Sequence, residues 1–222
     1  MPRPLPAKPA ASKVQPMFRR FTAAAYAVLA LAASGNELTP EEDANLSRRF
    51  VESQRSLRTL RAAFEQSVSL LGLRNPSVSK GTFFYRAPDD VRIDYAQPQG
   101  DFFLLRGDRF HVAKGGNPPR IYAATDRSAR VLVALRKVMG GRADAGAGMV
   151  RKVAREGNEY VVTLKPQTPS QETPEKIENR IDVASMALKK MTIKMPRGMS
   201  MEFSFSEPQR NVAIDEAVFQ EP

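Results

Sequence analysis

Hydrophobic and polar positions along this chain follow two periods, and the switch between them marks its elements. Leu46, Phe50, Leu57 and Leu60 fall at helical spacing, with one polar gap at Ser53. Thr39-Pro40-Glu41-Glu42 supplies the start: Thr39 caps, Pro40 suits the first helical position and Glu42 completes a capping box. The spacing predicts a helix from Pro40 to Leu57. The period then drops to two. Ala62, Phe64, Val68 and Leu70 alternate with Arg61, Glu65, Ser67 and Ser69, which is the pattern of a half-buried strand.

Further strands are expected at 79–86, 91–95, 101–106, 109–114, 120–123, 149–155, 159–165, 177–183, 190–195 and 199–206, each bounded by Gly, Pro, Asn or Asp. One helix interrupts them. Val131, Leu132, Leu135, Val138 and Met139 form a single apolar stripe, Asp126 or Ser128 can cap it, and Gly140-Gly141 ends it. No strand-helix-strand rhythm is present. The expected fold is therefore mainly β: an antiparallel sheet of about eleven strands with one apolar and one polar face, covered by two helices.

Composition narrows the chemistry. The 222 residues include 34 Lys plus Arg and 24 Asp plus Glu, a net charge of +10, with one His, no Cys and no Trp. The missing Cys excludes disulfides, thiolate metal sites and a thiol nucleophile. A Ser-His-Asp device would have to use His111, and no motif places a Ser and a carboxylate around it, so a surface or hydrogen-bonded His is expected. No catalytic residue, metal site or cofactor is expected. The charge suggests nucleic acid or an anionic membrane. A basic helix and an aromatic-plus-basic strand motif are both missing, however, so no nucleic-acid partner is expected.

The first 34 residues carry five basic and no acidic side chains; without them the net charge of +10 falls to +5. Met17-Phe18-Arg19-Arg20 precedes an uncharged run, Phe21 to Ala33, that closes on small residues. The order matches a leader and secretory signal peptide over 1–34, cleaved after Ala32 or Ser34, with an uncleaved anchor as the alternative; the run is too short to span a bilayer. Met17 competes with Met1 as the start. Residues 35–222 then form a single domain, monomeric and periplasmic.

Several segments resemble one family in order. They are Leu57–Gln66 with its Phe-x-Gln, Gly81–Pro88, Val91–Pro98, the Leu104–His111 hairpin and Asn211–Pro222. Together they resemble the outer-membrane lipoprotein carrier LolA and its wider superfamily. The resemblance implies an unclosed, curved half-barrel of about eleven strands with an internal lid helix. It also implies a cavity for lipoprotein acyl chains, an inner-membrane ABC exporter as donor and an outer-membrane acceptor as recipient. Alternatives are a carrier of another lipid and a lipid- or lipoprotein-sensing regulator. LolA commonly has Arg before the first Pro, holding the lid closed; here Ala87 stands before Pro88, with Arg86 on the opposite face and Arg92 as a possible substitute.

On this reading Phe64, Val68, Phe83, Tyr85, Val91, Ile93, Tyr95, Met191, Ile193, Met195, Met201 and Phe203 line the lipid cavity. Leu132, Leu135 and Met139 form the lid. Five of the nine Met lie between 186 and 201, and unbranched, polarizable side chains suit ligands of irregular shape. Plain core packing, and an ordinary amphipathic helix, are the competing readings of the same residues. Lys189, Lys190, Lys194 and Arg197 make a basic group, either a solvated sheet face or a docking patch for anionic lipid or an acidic partner loop.

Overall fold

The computed structural model describes residues 36–72, 74–141 and 148–220; the leader and signal peptide expected over 1–34 fall outside the described residues. The chain opens with a two-residue strand, β1 (Asn36–Glu37), and helix α1 (Pro40–Arg55). The Thr39 backbone N–H donates to the Glu42 carboxylate at 2.8 Å, and the Glu42 N–H returns to the Thr39 hydroxyl at 3.3 Å, closing the capping box. Six strands follow: β2 (Thr59–Ser69), β3 (Ser77–Arg86), β4 (Asp90–Tyr95), β5 (Phe102–Arg106), β6 (Arg109–Ala113) and β7 (Arg120–Ala123). Helix α2 (Arg130–Met139) enters through a short 3-10 turn at Arg127–Ala129, where Asp126 caps the Ser128 N–H. Five strands complete the sheet: β8 (Met149–Glu156), β9 (Glu159–Pro166), β10 (Lys176–Asp182), β11 (Leu188–Lys194) and β12 (Ser200–Arg210).

All pairings are antiparallel, in the order β1-β8-β9-β10-β11-β12-β2-β3-β4-β5-β6-β7, and the two ends do not pair. The sheet is open. The eleven strands expected from the sequence are present; the twelfth is β1, too short to carry a period. α1 ends two residues earlier than the pattern predicts, and β2 starts earlier. Pairing to the far end of β12, Arg210 opposite Leu60 and Gln209 opposite Arg61, extends β2 beyond its alternating run.

The sheet must curl. β9 and β4 stand six places apart in the order, about 29 Å in a flat sheet at about 4.8 Å per strand. α2 is ten residues, about 15 Å long. It nonetheless contacts β4 and shares a cavity wall with Leu164 of β9. One buried cluster joins Leu46 and Phe50 of α1, Leu132, Leu135, Val138 and Met139 of α2, and the inward residues of most strands. Arg151 of β8 pairs with Asp43, and Arg49 donates to the Val183 carbonyl at 3.0 Å, holding α1 across this face.

The outer face departs from the expected polar one. Phe102, Leu104, Ala113 and Phe219 form a second buried cluster, flanked by Phe84, Ile214 and Val218. The segment from Asn211 to a 3-10 turn at Glu216–Phe219 packs over β5 and β6 and supplies the missing cover. His111 lies on that outer side and is fully buried, contrary to a surface position. Among the described residues no helix is long and apolar enough to cross a membrane.

Candidate functional site

The inner face is built around α2. Its Leu132, Leu135 and Met139, the three lid residues expected from the sequence, are buried in the cluster shared with the sheet. Val131, Val133 and Ala134 leave the helix sideways and border open space. That space forms two cavities of about 480 Å³ each, within the range of small-molecule sites. Arg130, Ala134, Pro174 and Ile177 line both, so the cavities adjoin at the first turn of α2. The first continues along Ile193, Met195, Met199 and Met201. The second continues along Met149, Leu164, Val138 and Met191. The loop after β9 closes both from above, and Arg130 donates to the Glu172 carbonyl to tie it to α2.

The twelve expected cavity residues separate into groups. Met191, Ile193, Met195 and Met201 line the paired cavities. Val68 and Tyr95 line a smaller one, about 300 Å³, at the β2–β3–β4 end. Tyr85 borders another of about 240 Å³ beside Ala87 and Gly140. Phe64, Phe83, Val91, Ile93 and Phe203 are buried in the inner cluster and face none of these cavities. Phe83 packs edge-on against Phe205 at 5.1 Å between centroids. Phe64 packs the same way on Tyr95 at 5.6 Å. The cause is position along the strands: these five lie in the middle of the sheet, in the core that the two helices cover.

Sequence reasoning missed several lining residues. Ile177 was read only as a strand position, and Pro174 belongs to a loop with no period. Phe103 lines the smaller cavity, and behind it Phe110 and Tyr122 continue the aromatic row from Tyr95, at successive centroid distances of 5.4, 5.7 and 6.3 Å. The Phe102-Phe103-Leu104-Leu105 run contains the signal, because four consecutive apolar residues mark a strand buried on both faces. Asn179 was also missed: a polar residue at an inward register position, between Val162 and Met191 on the neighbouring strands.

Charge is concentrated at the mouths. Arg127, Arg130, Lys137, Arg197 and Glu172 are the charged residues lining the two larger cavities, four cations against one carboxylate. Arg197 sits in a left-handed conformation, φ 65°, within the Pro196–Gly198 turn. The basic group expected from the sequence is divided between the two faces. Lys190 is on the outer face, ion-paired with Glu202 at 2.8 Å, while Arg197 borders the first cavity. At the smaller end, burial and then the Asp101 carboxylate push the Tyr95 phenol above its ordinary pKa. The phenol stays protonated and donates to Gln66 at 2.8 Å.

Arg92 does not replace the family's lid arginine. It lies on the outer face, bonded to Asp94 at 2.6 Å and stacked over the Phe102 ring at 4.1 Å. Arg86 is also outward, paired with Asp90 and Glu216. At the lid corner Ala87 and Pro88 instead meet the C-terminal end of α2, at Gly140. α2 is therefore held to the sheet chiefly by apolar contact.

Comparison with solved structures finds the same fold elsewhere. A DUF1329 family protein from Desulfovibrio piger superposes with a TM-score of 0.51 at 11% identity, over 81% of this chain and 96% of that one. A LolA superfamily protein from Nitrosomonas europaea gives 0.41 at 9% identity, over 79% and 97%. The lipoprotein LppX of Mycobacterium tuberculosis gives 0.42 at 12% identity, over 80% and 100%. No match was found among curated proteins. The family described as outer membrane lipoprotein carrier protein LolA matches residues 55–221. That match takes in every strand from β2 to β12 together with α2, and the chain belongs to the LolA family.

Proposed function

We propose that this protein is a periplasmic carrier that takes up the acyl chains of a lipoprotein, receives them from an inner-membrane ABC exporter and passes them to an outer-membrane acceptor. The observation that carries the reading is the pair of adjoining apolar cavities on either side of the first turn of α2. Family membership supports the carrier class, and the N-terminal sequence supports the compartment.

The energetics suit reversible loading. Lifting α2 exposes Leu132, Leu135, Val138 and Met139, at about 2 kcal/mol each, or on the order of 8 kcal/mol together. A buried acyl chain returns about 0.8 kcal/mol per methylene, so roughly ten methylenes offset the loss. The cavities exchange one apolar partner for another, which lets cargo enter and leave without chemistry. The test is native mass spectrometry of the protein released from the periplasm. A lipid or lipopeptide mass is expected on it. A protein that is empty and binds no apolar fluorescent probe would overturn the reading.

A further inference from the structure

The inner face of β10 contains one residue out of keeping with its neighbours. Asn179 faces inward with Ile177 and Ile181 along its own strand, and pairs with Val162 and Met191 across the neighbouring ones. It is 2% exposed and lines the second 480 Å³ cavity. Its side-chain Oδ1 is buried with no hydrogen-bond partner in the protein. A buried amide oxygen left unpaired among aliphatic side chains is costly, and nearly all such groups in folded proteins are satisfied. A core position flanked by Val, Ile and Met would be better filled by Leu or Met. The residue borders the cavity beside α2, its amide oxygen unpaired just beneath the wall.

We infer that Asn179 is a ligand-contacting residue, and that the cavity takes an acyl chain carrying an N–H or O–H donor among its apolar atoms. An amide-linked chain and a hydroxylated chain both offer that donor; a plain ester or a saturated hydrocarbon does not. The amide oxygen accepts the donor, and the surrounding Met191, Leu164 and Ile177 take the hydrocarbon. Arg130 and Lys137, which line the same cavity, suit a ligand whose polar end is anionic. The inference rests on the carrier reading and adds a chemical preference to it.

The experiment uses two matched pairs of probes on the purified protein, with displacement of an apolar fluorophore as readout. N-palmitoylglycine and O-palmitoylglycolate differ only in N–H against O; 3-hydroxypalmitate and palmitate differ only in the hydroxyl. One net hydrogen bond corresponds to a preference of roughly 2- to 12-fold for the donor-bearing member. A preference in the first pair assigns the site to N-acyl amides; one confined to the second assigns it to hydroxylated chains. In Asn179→Leu the preference should vanish while palmitate binds as well or better, a combination that mere loss of packing does not produce. Asn179→Ala serves if the Leu variant does not fold, and the wild-type comparison stands without either. Equal binding of both members of both pairs by the wild type would overturn the inference and leave the carrier intact. Failure of all four probes to bind would instead count against the carrier reading itself.

Discussion

Arg86 donates to the Glu216 carboxylate at 2.6 Å, and its guanidinium lies 4.4 Å from the centre of the Phe219 ring. This contact fastens the C-terminal segment over the outer face of β5 and β6. Phe219 is 1% exposed, whereas the Glu216 side chain is mostly in solvent. Phe219→Ala should therefore lower stability by about 3–5 kcal/mol, read from the denaturant midpoint. Glu216→Gln should cost no more than about 1 kcal/mol. Equal losses for the two would show that the ion pair holds the segment as strongly as the ring does.

Position relative to the cavities decides what an acidic substitution does. Met201 is half-buried at the floor of the first cavity, so Met201→Glu should leave the fold intact and abolish acyl binding. Val91→Glu places a carboxylate in the closed core, where an unpaired charge costs several kcal/mol, and should unfold the protein. Circular dichroism with probe binding separates the two outcomes.

Chain length gives a quantitative test of the apolar site. Across saturated fatty acids of increasing length, affinity should rise roughly fourfold per methylene until the cavities are filled, then level off. A flat series would place the ligand outside the apolar space.

Gly81 illustrates a steric limit in the sheet. A Cβ there would stand 1.9 Å from the Asp94 carbonyl oxygen and 2.8 Å from the Phe64 ring. Gly81→Ala should separate β3 from β4 or displace Phe64, at a cost of about 1–3 kcal/mol, visible as a drop in melting temperature.

Acid should loosen the β10–β11 turn. Bonds from the Ser185 backbone N–H, then the Ser185 hydroxyl, and from the Ala184 N–H hold the Asp182 carboxyl below its ordinary pKa. Its contribution is thus present above about pH 3.9 and is lost as pH falls through the lower folded value. Asp182→Asn should be less stable than the wild type at neutral pH, and the difference should shrink as the pH falls through that window. A gap of constant size across the titration would contradict the assignment.

Much of the fold was legible because alternation is a local property. The capping box at Thr39, the stripe on α2 and the hairpin turns all stand where single residues indicate them. What was not legible depends on partners far along the chain. The cover that Phe219 gives to Leu104 joins residues more than a hundred positions apart, so the outer face read as polar. The inward face of Val91 and Ile93 was correctly read, but alternation gives no information on which inward residues a helix will seal. Met195 and Met201 border open space only because α2 is short and covers part of a wide sheet. Asn179 interrupts an apolar register, and its meaning emerged only with the cavity beside it.

The open sheet ends on two very short strands, two residues in β1 and four in β7, the latter preceded by Pro118-Pro119. At the β7 border a second chain seeking to extend the sheet finds only four residues to template on, whereas β1 covers only Ala154 and Arg155 of β8. A protein that displays an apolar groove whenever it is unloaded is otherwise a strong candidate for self-association, since strand edges and exposed hydrocarbon reinforce each other. The four-residue border at β7 separates those two hazards at that end, and the charged Arg151, Lys152 and Arg155 along β8 oppose strand addition at the other.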